Sequence, residues 1–308
     1  MNKCKIFIRS LLLVLCISLV AGCTLAKNEE SADHPADKIV ISTLEAIGAR
    51  GGSITIKVAD SEMYSATYGI GYDLHKPVTL ASLSKPVTSY ILLQMEIDGL
   101  INVNSPIGSY VPEISELQNG SRIIDKTLFD FMTHNTGIVS LPLDSSGDWK
   151  KNLEAALSDN PTQGRVYSNE NYALLTRVVI NTLGSYEDAL RKYINVGGIT
   201  TFRVGSKFSR PSYAGVGGLE STTADYYKFM ERSAPLSEVQ SDGFGISWFH
   251  GEAGFVWHQG MIAGGGRDQH ALALWGATSA SGAVVSIVFQ ADAFDTDALL
   301  IEQLLRLF

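Results

Sequence analysis

Ile39, Ile41, Leu44 and Ala46 recur at helical spacing near the start of the chain and predict a helix over 39–46. Two strand-like runs follow, 54–59 and 64–72. Asp60-Ser61-Glu62 between them reads as the turn of a hairpin. Residues 82–98 return to a helical period, with Val87, Tyr90, Ile91, Leu92, Met95 and Ile97 on one broad apolar face. Pro86 falls in the first turn, where its missing N–H does no harm, and Gly99 supplies a C-cap. From about 100 to 235 the pattern is helical and loop-rich, with helix candidates at 128–133, 153–157, 172–183, 186–193 and 223–230. Strand patterns then return at 245–248, 254–258, 270–275 and 283–290; the last, AVVSIVFQ, is the strongest. Residues 295–308 close the chain as an apolar helix with an Asp-rich start.

This order predicts an α+β fold in two or three layers. An antiparallel sheet is built from both ends of the sequence, flanked by the N- and C-terminal helices. An all-helical subdomain, about 100–235, is inserted between them. A cleft forms where the two parts meet, and Ser82 falls at that seam. With 308 residues, 45 % of them hydrophobic, there is enough chain for one large domain or two intimate subdomains.

The N-terminus has a different character. Lys3, Lys5 and Arg9 precede an apolar stretch, 11–20, of signal-peptide length that ends in Val20-Ala21-Gly22-Cys23. Small residues before a Cys resemble a bacterial lipobox, with residues 1–22 removed and Cys23 lipidated; the alternative is a secretory signal with an incidental Cys. All three cysteines, Cys4, Cys16 and Cys23, lie here, so the body from 38 to 308 has no Cys pair for a disulfide framework or a metal site. Residues 23–37, polar and aperiodic, read as a flexible tether. Loss of Lys3, Lys5 and Arg9 with the signal takes the net charge from −8 to −11. An acidic exterior argues against nucleic acid as a partner and against electrostatic docking on anionic lipid. The expected location is the extracytoplasmic side of the cell envelope, at the cell membrane or the outer membrane, held there by lipid on Cys23.

Three groups of residues carry candidate chemistry. Ser82-Leu83-Ser84-Lys85 opens a helix, and residues three apart share a helix face, so the Lys85 amine can reach the Ser82 hydroxyl. A desolvated lysine loses its proton readily and can activate a serine. Tyr167-Ser168-Asn169 offers a phenol to shuttle protons and an amide to hold a carbonyl or orient a lysine; it also fits a loop with Ser168 or Asn169 as N-cap of the next helix. His258-Gln259-Gly260 ends a strand and precedes Ala263-Gly264-Gly265-Gly266. Its His can donate to a substrate, and its Gly lets a backbone approach closely; a His satisfied at a strand end is the plainer alternative.

Taken together, S-x-x-K, Y-S-N and H-x-G in this order resemble the serine penicillin-recognising family of class C β-lactamases, DD-peptidases and related esterases. ASLSKPVTSY is similar to its nucleophile helix and FMTHNTGI to its threonine-histidine-glycine turn. NYALL is similar to the helix after the tyrosine motif and GVGGLESTTADYYKFM to the segment leading back to the sheet. The likeness runs from about 40 to 305 and implies a β-lactamase/transpeptidase-like fold. It implies Ser82 as acylated nucleophile, Lys85 as its proton acceptor and Tyr167 as proton relay to the deacylating water. Asn169 would hold the substrate amide, and His258 and Gly260 would line the far wall. The backbone N–H groups of Ser82 and Met261 would form the oxyanion hole. His134 gains no catalytic role from the likeness and reads as a turn residue. Many β-lactamases of the family carry Lys-Thr-Gly at the third motif; the His here matches its DD-peptidase and esterase branches, and Gln259 departs from the usual small hydroxyl residue. Trimmed loops imply an open site.

No G-x-S-x-G elbow, H-E-x-x-H or phosphate-binding G-x-x-x-x-G-K-[ST] occurs, and the six His are scattered, so no metal or other cofactor is expected. The expected function is an acyl-enzyme serine hydrolase acting on D-amino-acid peptides of peptidoglycan type, or on small amides and esters. A β-lactamase is the alternative within that chemistry, and a non-catalytic cell-wall peptide-binding lipoprotein the alternative outside it.

Overall fold

The computed structural model describes residues 26–28, 33–141, 148–158, 164–205, 211–236, 245–251, 254–262, 269–292 and 297–308. Its eight α-helices among these are α1 (Ala36–Ala46), α2 (Ser84–Ile97), α3 (Leu128–Met132), α4 (Trp149–Ser158), α5 (Asn169–Leu183), α6 (Tyr186–Ala189), α7 (Thr223–Ser233) and α8 (Asp297–Leu307). The strands are β1 (Gly51–Val58), β2 (Tyr64–Gly69), β3 (Val78–Thr79), β4 (Arg203–Val204), β5 (Leu219–Ser221), β6 (Phe249–His250), β7 (Val256–Ile262), β8 (Gln269–Thr278) and β9 (Val284–Ala291).

The main sheet has the order β2-β1-β9-β8-β7-β6, with every pair antiparallel. β1 from the first part of the chain pairs with β9 from the last, with Ile54 opposite Phe289 and Ile56 opposite Ile287. The expected sheet built from both ends is therefore present. It separates two apolar cores. Leu272, Leu274, Ile287 and Phe289 face Val40 and Leu44 of α1 and Leu300 and Leu304 of α8. The intervening Ala271, Ala273 and Val288 join the core of the helical block. The period-two alternation of the strands thus produces three layers, terminal helices, sheet and helical block, with the smaller residues of β8 on the side where the block comes closest.

Several elements differ from the sequence reading. The 100–235 block is not all helical; β4 and β5 within it join β3 in a small sheet of order β3-β5-β4. These strands are two or three residues long, too short to show a period. Residues 245–248 are not a strand, because Ser247 has φ +61° and its buried hydroxyl bonds Ser89 Oγ at 2.6 Å instead of lying in a ladder. The expected helix at 186–193 is α only to Ala189 and continues as a π-helical turn, Leu190–Ile194. The tether expected over 23–37 is partly docked: Lys27 bridges Tyr68 of β2, Asn28 N–H donates to Thr67 O at 2.9 Å, and α1 begins at Ala36. A buried carboxylate holds this contact. Asp37 accepts from the hydroxyls of Tyr64 (2.6 Å) and Tyr68 (2.7 Å), from Lys27 Nζ (2.9 Å) and from His34 N–H (3.0 Å). The glycine-rich run 263–266 and residues 1–25, with the signal and Cys23, lie outside the described residues.

Candidate active site

The turn before α2 sets Ser82 in place. Ala81–Leu83 form a single 3-10 turn, pinned where Leu80 N–H donates to Leu219 O of β5 at 2.8 Å. Ala81 sits at φ +48°, a left-handed conformation that costs a non-glycine residue roughly 1 kcal/mol or more. Two further bonds hold the turn: Ser84 Oγ accepts from Leu219 N–H at 3.2 Å, and Tyr226 Oη donates to Leu83 O at 3.0 Å.

Lys85 follows in the first turn of α2 and is wholly buried. Its Nζ donates to Ser82 Oγ at 2.8 Å, Asn169 Oδ1 at 2.9 Å and the Val216 carbonyl at 2.9 Å. These three acceptors match the three protons of an ammonium. Burial nevertheless favours the neutral amine and lowers Lys85 from its ordinary 10.5 to about 7, with Glu170 opposing that shift. As a neutral amine, Lys85 keeps two N–H bonds, to Asn169 and Val216, and turns its lone pair to Ser82. The serine proton then has an acceptor 2.8 Å away.

Tyr167 lies in the turn just before α5, and Asn169 is the first residue of that helix. Lys85 Nζ lies 4.9 Å from the Tyr167 ring centroid. Burial pushes the Tyr167 phenol above its usual range, and a hydrogen bond with Ser82 pulls weakly the other way. A phenol so shifted stays neutral and serves as donor and acceptor, which leaves Lys85 as the base of the pair. Ser168 occupies the N-cap, but its hydroxyl donates to Glu170 Oε2 at 2.7 Å and makes no capping bond. His134, at φ +58°, props this turn from behind. Its Nδ1 accepts from Ser168 N–H at 3.1 Å and lies 3.0 Å from Asn171 Nδ2, and its ring packs 4.5 Å from that of Tyr167. Burial keeps it well below its ordinary pKa.

β7 forms the opposite wall. β6 pairs only with Val256 and Trp257, so from His258 onward the edge of β7 faces the Ala81–Leu83 turn. A Cβ at Gly260 would lie 2.4 Å from Leu80 O and 2.7 Å from Ser82 N, so only glycine lets the strand approach the nucleophile this closely. Met261, the next residue, lines the cleft. His258 is 1 % exposed. Its Nδ1 lies 2.8 Å from Gln259 O; a carbonyl only accepts, so the proton is on Nδ1. Burial, aided by the Lys85 charge, lowers His258 to about 3, so it is neutral at any ordinary pH.

Ser82, Tyr167, Phe249, His258, Gln259 and Met261 enclose a cleft of about 230 Å³. All seven residues singled out around the serine, Ser82, Lys85, Tyr167, Asn169, His258, Gly260 and Met261, are thus assembled at one seam. A larger cavity of about 440 Å³, lined by Arg122, Lys126, Asn135 and Leu157 among others, holds none of them. Chemistry, rather than size, selects the smaller cleft. Sequence reasoning missed Phe249, which sits in the cleft wall by packing alone, and the Val216 carbonyl, which any residue type would provide. Gly215 beside it does leave a trace, since a Cβ there would lie 2.3 Å from Thr88 Oγ1.

Comparison with solved structures finds the same fold elsewhere. A D-stereospecific amidohydrolase from Streptomyces sp. is similar at 19 % identity and TM-score 0.66, over 88 % of this chain and 98 % of its own. A class C β-lactamase from Rhodobacter sphaeroides is similar at 14 % identity and TM-score 0.65, over 89 % and 100 %. A D-alanine carboxypeptidase from Burkholderia cenocepacia is similar at 15 % identity and TM-score 0.63, over 87 % and 95 %. Curated proteins gave no match. The Beta-lactamase family model matches residues 36–306, nearly the whole body around the Ser82–Lys85 pair, and the chain belongs to that family of serine hydrolases.

Proposed function

We propose that this protein is a cell-envelope serine hydrolase that forms an acyl-enzyme on Ser82 and acts on D-amino-acid peptides, amides or esters. The observation that carries this reading is the buried Lys85 Nζ, 2.8 Å from Ser82 Oγ and lowered to about 7. Ser82 Oγ attacks the substrate carbonyl carbon as its proton passes to Lys85. The developing oxyanion lies toward the N–H groups of Ser82 and Met261, each worth about 3 kcal/mol in the transition state. The carbonyl–nitrogen or carbonyl–oxygen bond then breaks, and the leaving group takes the proton from Lys85 through Tyr167. Water attacks the acyl-enzyme by the same route in reverse, and Ser82 regains its proton.

Neutral His258 narrows the substrate. It offers no cation for a free carboxylate, so amides and esters of D-amino acids suit this cleft better than carboxylate-bearing peptides or penicillins. The name of the D-stereospecific amidohydrolase agrees with amide substrates of D-amino acids. The basic start, apolar stretch and small residues before Cys23 support secretion and lipid anchoring at the envelope.

The test is labelling with a fluorescent fluorophosphonate, wild type beside Ser82→Ala. Wild type takes up label and the variant does not; equal labelling, or none in either, overturns the acyl-enzyme reading. Wild type should then cleave D-alanine amide or methyl ester faster than D-alanyl-D-alanine. His258→Lys should reverse that preference.

A further inference from the structure

Glu170 follows Asn169 directly, is 2 % exposed, and takes no part in the chemistry above. Among the described residues it makes no ion pair, yet it is well supplied with donors. Its Oε2 accepts from Ser168 Oγ at 2.7 Å and its Oε1 from Leu141 N–H at 3.2 Å. The Ser140 hydroxyl is a further donor to it, and Ser140 Oγ accepts from Asn169 N–H at 3.2 Å. The carboxylate therefore straps residues 140 and 141 to the Tyr167–Asn169 turn. Burial holds its pKa above the usual carboxylate value, and these donors limit the rise by stabilising the charged form.

We propose that Glu170 is a positioning residue of the Ser82 centre: it fixes the turn that aims Tyr167 and Asn169, and it supplies the negative charge against which the buried Lys85 is held. The proposal rests on Ser82 and Lys85 being the acyl-transfer pair. Among the described residues, the other polar groups around Lys85 add no negative charge. His134 and His258 are buried and neutral, Tyr167 and Tyr172 are phenols shifted upward, and Arg165, which acts on His134, is positive. Among the described residues, Glu170 is the one group raising the proton affinity of Lys85 against burial. Without it the amine would be a weaker base. A base works best with its pKa near the working pH, so this counterweight suits Lys85 to neutral conditions.

The sign is fixed. Loss of the carboxylate lowers the pKa of Lys85, so Glu170→Gln should move its titration down by about half a unit or more, a roughly threefold loss of proton affinity. NMR of protein carrying ¹³Cε-lysine reads this directly, with the Lys85 signal assigned by its loss in Lys85→Met. The acid limb of fluorophosphonate labelling should move down by the same amount. On the amide substrate kcat should fall at high pH with KM nearly unchanged. Glu170→Asp, which keeps the charge, should recover most of the wild-type titration and is the arm to read if the Gln variant does not fold. A folded Gln variant that gives a KM defect with the Lys85 midpoint unmoved overturns the proposal, and so does a folded Asp variant whose Lys85 midpoint falls by about half a unit or more although the charge is kept. A shifted midpoint in a protein that takes no label upholds it and sinks the acyl-transfer reading instead.

Discussion

At the scale of single residues, Lys85 and Gly260 decide the most. Lys85 is a charge-bearing group held where charge is unfavourable, and this ties stability to pH. Its folded pKa, about 7, lies below its unfolded value of 10.5. Below about pH 7 both states bind the proton and the full penalty of burial is present; above about 10.5 neither does and the penalty vanishes. Between these limits wild type should gain on the order of 4–5 kcal/mol relative to Lys85→Met as pH rises. Urea unfolding of both proteins across pH 7–10.5 measures that gain, and parallel curves would refute it. Labelling of wild type should rise with pH through about 7. Gly260→Ala should lower kcat by ~10²–10³-fold, through displacement of the Ser82 and Met261 N–H groups, and destabilise by about 1–3 kcal/mol. Steady-state kinetics with thermal unfolding separates the two effects. The residue types at both positions could be read from the sequence. The reach of Lys85 to Val216 and the tautomer of His258 could not, since each depends on a backbone carbonyl brought from elsewhere or exposed by the turn of the strand.

At the scale of elements, helices and strands follow the period of their apolar positions closely where they are long. α2 was legible because its broad apolar face recurs over fourteen residues, and β9 because it is buried on both sides. The failures are short pieces held by side chains: the two- and three-residue strands of the small sheet, the Ser247 turn, and Ala26–Asn28 docked on β2. The last depends on Asp37. Burial raises its pKa, but bonds from Tyr64, His34, Tyr68 and Lys27 outweigh that and hold it below the usual carboxylate range. The stability it contributes is present above that range and lost as pH falls through the lower folded value. Asp37→Asn should cost about 1–3 kcal/mol at pH 7, release the amide of Asn28 to fast hydrogen exchange, and flatten the acid limb of the stability curve. Unchanged exchange at Asn28 would show that backbone pairing alone holds the segment.

At the scale of the whole molecule, the sheet couples two cores that the chain visits in turn. Phe289, fully buried among α1, α8 and the outer face of the sheet, lies on the side away from the cleft. Phe289→Ala should cost about 3–5 kcal/mol in unfolding free energy yet leave the rate of Ser82 labelling within about twofold below the lowered melting temperature. A large loss of labelling in the folded variant would show that the outer core shapes the site. The sequence by itself determined the alternation of apolar and polar positions, hence the elements, their layering and the three motifs, because periodicity and residue type are local properties. Only the tertiary structure decided which of those motifs could act. The Ser82 turn, the Asn169 turn and the Val216 carbonyl, far apart in the chain, must converge before Lys85 loses its water, meets three acceptors and becomes a base, and desolvation exists only in the packed molecule.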